Sequence, residues 1–155
     1  MEDITFETAV AADLPAVRAL LARCALPTDD LQEGHLAHFI VCRAGGQIVG
    51  AVGLEVIGSV GLLRSLAVAP ARRGRGLAHE LWRRILDRAR ILELARLYLL
   101  TTTAEPLFAR WGFARLAREV VPDSIRATPE FAALCPSTAA VMAKDLTSAA
   151  DQRAL

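Results

Sequence analysis

Residues 66–78, Leu-Ala-Val-Ala-Pro-Ala-Arg-Arg-Gly-Arg-Gly-Leu-Ala, form the stretch on which the reading of this chain turns. The apolar run reaching Pro70 reads as the end of a strand, the basic glycine-containing segment as a loop, and Leu77 as the start of a helix that follows at once. Gly74 and Gly76 let backbone amides converge and approach a ligand closely, and a new helix turns its unpaired N–H groups and positive dipole end toward the same point. Such a junction is a cradle for an anion. Arg72, Arg73 and Arg75 add positive charge, and residues 72–96 hold eight arginines against three acids, Glu80, Asp87 and Glu93. A phosphate-bearing ligand fits. A nucleoside-triphosphate loop would need GK[ST] at the helix start, and a dinucleotide fold would need GxGxxG after a first parallel strand; the stretch has neither. In isolation, Arg73-Gly74-Arg75-Gly76 also reads as a solvated basic turn or a nucleic-acid contact, so the surrounding elements must decide.

Downstream, Leu77, Leu81, Trp82, Ile85, Leu86, Ala89 and Leu92 recur on one helical face, while Arg83, Arg84, Asp87, Arg88 and Arg90 lie largely on the other. Residues 95–103 read as a buried strand, 104–111 as a short helix ended by Gly112, and 113–118 as a strand, giving a strand-helix-strand crossover. Residues 122–134 read as helical and 137–144 as a last strand. Upstream, residues 4–8 read as a first strand, and a helix with Pro15 in its first turn buries Leu14, Val17, Leu20, Leu21 and Cys24. A short polar helix is expected over 29–34. Three strand-like runs follow, over 35–44, 47–57 and 60–70, with turns at Gly45-Gly46 and Gly58-Ser59, which is the pattern of an antiparallel meander.

At 155 residues the chain is one domain's worth of protein, with a domain expected over 1–146 and a frayed tail over 147–155. Hydrophobic residues make up 54% and charged ones 23%, which excludes global disorder. The formal charge of +1 gives no field that would capture nucleic acid or anionic lipid by itself. Residues 44–63 are apolar over the length of a membrane span, yet their six glycines, Glu55 and the Gly58-Ser59 turn fit two buried strands better. Cys24, Cys42 and Cys135 are odd in number, widely spaced and without a CxxC pair or a His cluster, so neither a disulfide framework nor a metal site is expected. The first ten residues lack a basic n-region and an apolar h-region, and a cytoplasmic location is expected.

With Val68-Ala69-Pro70 followed by Arg73-Gly74-Arg75-Gly76-Leu77-Ala78, the chain resembles the GNAT superfamily of acyl-CoA-dependent N-acetyltransferases, whose hallmark is V-x-P and then [Q/R]-x-x-G-x-[G/A] opening a helix. Residues 104–113, AEPLFARWGF, resemble a second element of that superfamily in the correct order. The resemblance spans about residues 3–146 and implies an α/β fold with a mixed, mostly antiparallel sheet, flanking helices and a splayed central strand pair. Within the superfamily, residues 62–70, 97–113 and 130–142 resemble the acetyltransferases found with arsenic-resistance operons.

The resemblance implies that acetyl-CoA is the co-substrate and a small primary amine the acceptor, with no metal, no nucleic-acid or membrane partner, and a homodimer open. It places the pyrophosphate on the amides from Arg73 to Ala78 and the pantetheine arm along Leu66, Ala67 and Val68, with Thr101 and Phe108 also on the cofactor side. A backbone amide of Leu66 or Val68 could stabilise the tetrahedral oxyanion. An ammonium has no lone pair, so a base or a water chain must take its proton. Glu55, isolated in an apolar strand, is the carboxylate candidate; an edge-facing solvated Glu and a structural partner of Arg64 are the competing readings. His35 and His38 read as surface or packing residues, and His79 lies just after the loop. The superfamily's usual acid is a Tyr, whereas Phe108 has no O–H to give; Tyr98 reads as packing, and Ser65, Thr101, Thr102, Thr103 or a water could serve. The cysteines read as buried packing or as soft arsenic ligands. A non-catalytic acyl-CoA-binding sensor is the rival to the enzyme.

Overall fold

The computed structural model describes residues 3–134 and 138–146. Seven strands are hydrogen-bonded in the order β1-β2-β3-β4-β5-β7-β6: β1 (Ile4–Thr8), β2 (Phe39–Ala44), β3 (Gln47–Ile57), β4 (Val60–Val68), β5 (Arg96–Thr101), β6 (Ala114–Leu116) and β7 (Ala140–Asp145). Four α-helices accompany them: α1 (Leu14–Arg23), α2 (Leu77–Ile91), α3 (Glu105–Arg110) and α4 (Asp123–Arg126). The sheet is mixed and mostly antiparallel, as its short turns require, because only antiparallel neighbours can be joined by two residues. The parallel pair is β4 with β5, in register over Val60–Leu62 opposite Arg96–Tyr98; among the described residues their pairing extends no further. No described helix is long and apolar enough to cross a membrane.

The chain divides into two compact units. The first comprises the residues up to Glu55 together with Arg64–Arg88. Its core is built by Val17, Leu20 and Leu21 of α1, by Phe39, Val41 and Cys42 of β2, by Ala51 and Val52 of β3, and by Leu81 and Ile85 of α2, all fully buried. Glycines fit β3 to its neighbours. A methyl on Gly50 would lie 3.1 Å from Leu81 Cδ1 and 3.2 Å from Cys42 Cβ, and one on Gly53 would lie 2.3 Å from the Phe39 ring. The glycine-rich run 44–63 is therefore strand packed at close range, which accounts for its composition without lipid. Arg43 forks onto both oxygens of Asp13 at 2.8 Å and also meets Glu7, while Asp13 accepts the Val10 amide at 2.9 Å.

The second unit comprises Val56–Leu63 and the chain from Ala89 onward. Leu62, Tyr98, Val121, Ile125, Phe131, Val141 and Ala143 form one buried cluster. Phe108 packs edge-on against Trp111 and Phe113, and Gly112 at φ +95° lets the Phe113 amide return to the Phe108 carbonyl at 3.0 Å.

Two expectations are corrected. The short helix lies over Glu33–His38 as a 3-10 turn rather than over 29–34, so β2 begins at Phe39. The Gln32 amide donates to His35 Nδ1 at 2.9 Å, a local bond that holds residues 33–38 in a turn instead of a strand. The helix over 122–134 is broken into α4 and a π-turn over Glu130–Leu134, because Pro129 has no amide to donate and disfavours a helical residue before it, while the Thr128 hydroxyl donates back to the Ile125 carbonyl at 2.7 Å. The strand-helix-strand crossover runs as expected from β5 through α3 to β6, and β7 pairs antiparallel with both strands. Cys135 and the expected tail over 147–155 lie outside the described residues.

Candidate functional site

The loop after β4 is built as an anion cradle. The Ala69 amide donates to the Val49 carbonyl at 2.8 Å, closing the strand, and Pro70–Arg72 make one 3-10 turn. Gly74 and Gly76 both take φ +80°, a conformation open to glycine and costly for L-residues. Among the described residues, the amides from Gly74 to Ala78 donate to no backbone carbonyl. They precede and open α2, whose fifteen residues add their dipole. Arg73 anchors the loop from its own side: its Nε donates to the Val68 carbonyl at 3.0 Å, and its Nη2 reaches Cys24 Sγ at 3.6 Å. The Cys24 thiol also donates to the Val68 carbonyl, at 3.6 Å. Arg75 is exposed, and Arg72 lies near enough to Cys42 for its charge to oppose the burial that pushes that thiol's pKa up.

On β4, Ser65 is buried yet holds φ +61°. A non-glycine residue in the left-handed region inside a strand stores about 1–3 kcal/mol and is typical of strands bent to serve a site. Next to it lies a buried ionic network. Arg64, whose side chain is wholly buried, donates to Asp30 at 2.5 and 2.9 Å, to Glu55 Oε1 at 2.6 Å and to Ser65 Oγ at 3.1 Å. His35 Nε2 stands 3.9 Å from the same Glu55 oxygen. Burial alone would raise the Asp30 pKa; the Arg64 hydrogen bonds, the Arg64 charge, its own backbone amide and the charge of His35 outweigh it, so the carboxyl titrates below its ordinary value. Asp30, His35 and Glu55 are by composition and spacing a set that could hold a metal ion. The Arg64 guanidinium already serves both carboxylates as their cation.

Of the residues singled out from the sequence, Leu66, Ala67, Val68, Arg73, Gly74, Arg75, Gly76, Leu77 and Ala78 follow one another from β4 through the loop into α2, and Glu55 belongs to the same unit. Thr101 and Phe108 belong to the other unit. There Thr101 Oγ1 accepts the Ala104 amide at 2.9 Å at the entry to α3, and Phe108 is buried in its aromatic cluster. Tyr98 is a core residue, 3% exposed, whose hydroxyl is met by Arg96 at 3.4 Å. Asp30 is not singled out by the sequence, where His35 reads as a surface or packing residue. An Asp in a polar loop carries no local signal of a buried arginine 34 positions away.

Residues 8–116 match the Acetyltransferase (GNAT) family. An amino-acid acetyltransferase of Mycobacterium tuberculosis is 42% identical over 72 residues, covering 46% of this chain and 41% of that protein. One of Neisseria meningitidis is 28% identical over 96 residues, covering 61% of this chain and 22% of that protein. The chain thus spans well under half the length of these curated relatives. Among solved structures, N-acetylglutamate synthase from Neisseria gonorrhoeae, complexed with coenzyme A and N-acetyl-glutamate, superposes with a TM-score of 0.80 at 22% identity over 94% of this chain and 36% of that one. Rv2747 from Mycobacterium tuberculosis, in complex with CoA, superposes with a TM-score of 0.72 at 27% identity over 92% of this chain and 99% of that one. With the loop, the strand order and most of its length in common with that family, the chain belongs to the GNAT acetyltransferases.

Proposed function

We propose that the protein is an acetyl-CoA-dependent N-acetyltransferase acting on a small primary amine by direct attack in a ternary complex. The observation that carries this reading is the run of amides from Gly74 to Ala78 that serves no backbone carbonyl and opens α2. Those amides would receive the pyrophosphate, with Arg75 near the remaining phosphates. Leu66, Ala67 and Val68 would flank the pantetheine arm, and a backbone amide of Leu66 or Val68 would stabilise the oxyanion. We assign Thr101 and Phe108 to the cofactor side on the family resemblance.

The amine nitrogen forms its bond to the thioester carbon, the tetrahedral intermediate collapses, and the C–S bond breaks with its electron pair leaving on sulfur. Glu55 takes the proton the amine loses. Its Oε1 is held by Arg64 at 2.6 Å, and its side chain keeps 12% of its surface exposed, enough to be reached. A CoA thiol resembles a free cysteine, with a pKa of about 8.5, so the thiolate can leave without a dedicated acid where Phe108 has no proton to give.

The relatives named amino-acid acetyltransferases favour an amino acid as acceptor. The finer reading, a setting in arsenic resistance, rests on resemblance in three segments and predicts that an arsenic-containing amino acid is acetylated faster than its close analogues. We place the reaction in the cytoplasm on the sequence, whose three widely spaced cysteines suggest no disulfide framework. A homodimer would show in sedimentation.

Calorimetric titration with acetyl-CoA and with CoA tests the cofactor, and one-site binding of both is expected. Thiol release is then measured across a panel of amino acids and arsenic-containing analogues. Absence of cofactor binding would overturn the reading. Binding without amine-dependent thiol release would favour an acyl-CoA sensor, the alternative that Phe108 raises. Glu55→Gln is expected to lower kcat by about a hundredfold, the low end for loss of a general base, with acetyl-CoA affinity unchanged. Undiminished turnover would return Glu55 to a structural role.

A further inference from the structure

His35 lies in the turn Glu33–His38 with its ring partly exposed and oriented by a bond that fixes its proton. The Gln32 amide donates to Nδ1 at 2.9 Å, so the lone pair of that nitrogen is used and the neutral ring carries its hydrogen on Nε2. Nε2 faces Glu55 Oε1 at 3.9 Å, too long for a direct hydrogen bond and suited to one bridging water or a small rotation. The same oxygen already accepts Arg64 Nη1. Among the described residues, Glu55 Oε2 makes no hydrogen bond.

We propose that His35 is a positioning residue for Glu55, its Gln32-fixed tautomer presenting Nε2–H to Oε1 so that Oε2 is the oxygen turned to the acceptor's ammonium. This rests on Glu55 taking the amine's proton. Two donors on Oε1 fix the carboxylate plane and stabilise its charged form, leaving Oε2 as the basic edge. The proton goes from nitrogen to Oε2 and later to solvent, while His35 neither gains nor loses one. The groups around the ring are Asp30, Glu55 and the Arg64 guanidinium, with Glu33 and His38 on its own turn. With the Nδ1 lone pair taken by the Gln32 amide, the ring presents Nε2–H toward Glu55.

The test uses the whole chain with the fastest amine of the panel, measuring kcat and kcat/KM against pH and acetyl-CoA affinity by calorimetry. His35→Ala is expected to lower kcat about tenfold, a modest share of general-base catalysis. It should also move the acid limb of kcat/KM upward as Glu55 loses a stabilising donor, with acetyl-CoA affinity unchanged. His35→Gln, whose amide nitrogen reaches the place of Nε2, should restore most of the rate. In a Glu55→Gln background, His35→Ala should cost nothing further. Wild-type kcat and acid limb in His35→Ala, with Glu55→Gln slow, would overturn the proposal alone. A fast Glu55→Gln would overturn the reading of Glu55 and this proposal with it. Should His35→Ala fail to fold, His35→Asn keeps an acceptor for Gln32 but cannot reach Glu55. It must then be slower than His35→Gln, and equal rates would overturn the proposal.

Discussion

Gly76 has room for a side chain but not the backbone for one. Among the described residues nothing stands within 4 Å of where its Cβ would be, yet its φ of +80° places any L-residue at a cost of about 1–2 kcal/mol. Under the proposed reading that space is the pyrophosphate's approach to the loop amides, so Gly76→Val would combine backbone strain with a branched group in the ligand's path. Acetyl-CoA affinity should fall at least about tenfold, the equivalent of 1.4 kcal/mol, in a protein that still unfolds cooperatively. Gly34→Ala is the control, because Gly34 also has nothing within 4 Å and its φ is not positive, and its affinity should match the wild type. An unchanged affinity in folded Gly76→Val would remove the loop from the cofactor site. The left-handed backbone of Gly76 was legible in the sequence because a loop that turns straight into a helix calls for a residue without a Cβ. Asp30 was not, because nothing in Thr28-Asp29-Asp30 indicates that Arg64 will be buried against it.

At the scale of the element, β3 shows why strands are easier to read than their neighbours. Its bounds, Gln47–Ile57, coincide with the expectation because two tight turns delimit it, Gly45-Gly46 with both residues at positive φ and Gly58 at +61°. β2 does not begin where its apolar pattern begins, since Gln32 and His35 make a local bond that withdraws residues 33–38 from the strand. The place of β7 between β5 and β6 is set by pairing across long separations, which no local pattern encodes. Gly53 shows the element's packing: it is paired opposite Phe39, and the fully buried ring lies over its Cα. A methyl there would sit 2.3 Å from ring carbons, so strand or ring must move. Gly53→Ala should destabilise by about 1–3 kcal/mol, the usual cost of overpacking, and Gly53→Ala with Phe39→Leu should recover part of it. Urea midpoints measure both, and a neutral Gly53→Ala would show the ring to be loosely held.

Over the whole molecule, Asp13, Asp30 and His38 among the described residues couple folding to pH in the same direction, as does Glu80, whose carboxyl its Arg84 hydrogen bond holds below the ordinary value. Asp30 and Asp13 are both opposed by burial and more strongly favoured by their arginines and backbone amides, so both titrate below their ordinary values when folded. Burial, assisted by the charge of Arg88, lowers the pKa of His38, whose Nδ1 is buried with no hydrogen-bond partner among the described residues. Each group binds its proton more readily in the unfolded chain, so stability rises with pH across its titration. The contribution of His38 is complete above about pH 6.5 and drains as pH falls through its lower folded value; those of Asp13 and Asp30 are complete above about pH 4 and drain below it. The urea midpoint should therefore be flat from pH 8 to about 6.5, decline through the histidine range, and decline again in the carboxylate range. His38→Leu should abolish the upper decline while leaving the lower one. Asp30→Asn should lower the plateau, because it leaves Arg64 with less counter-charge, and should shallow the lower decline. A midpoint independent of pH between 6.5 and 5 would mean that His38 is as easily protonated in the fold as outside it. A lower decline unchanged in Asp30→Asn would shift the acid sensitivity to Asp13 with its Arg43 fork and to Glu80.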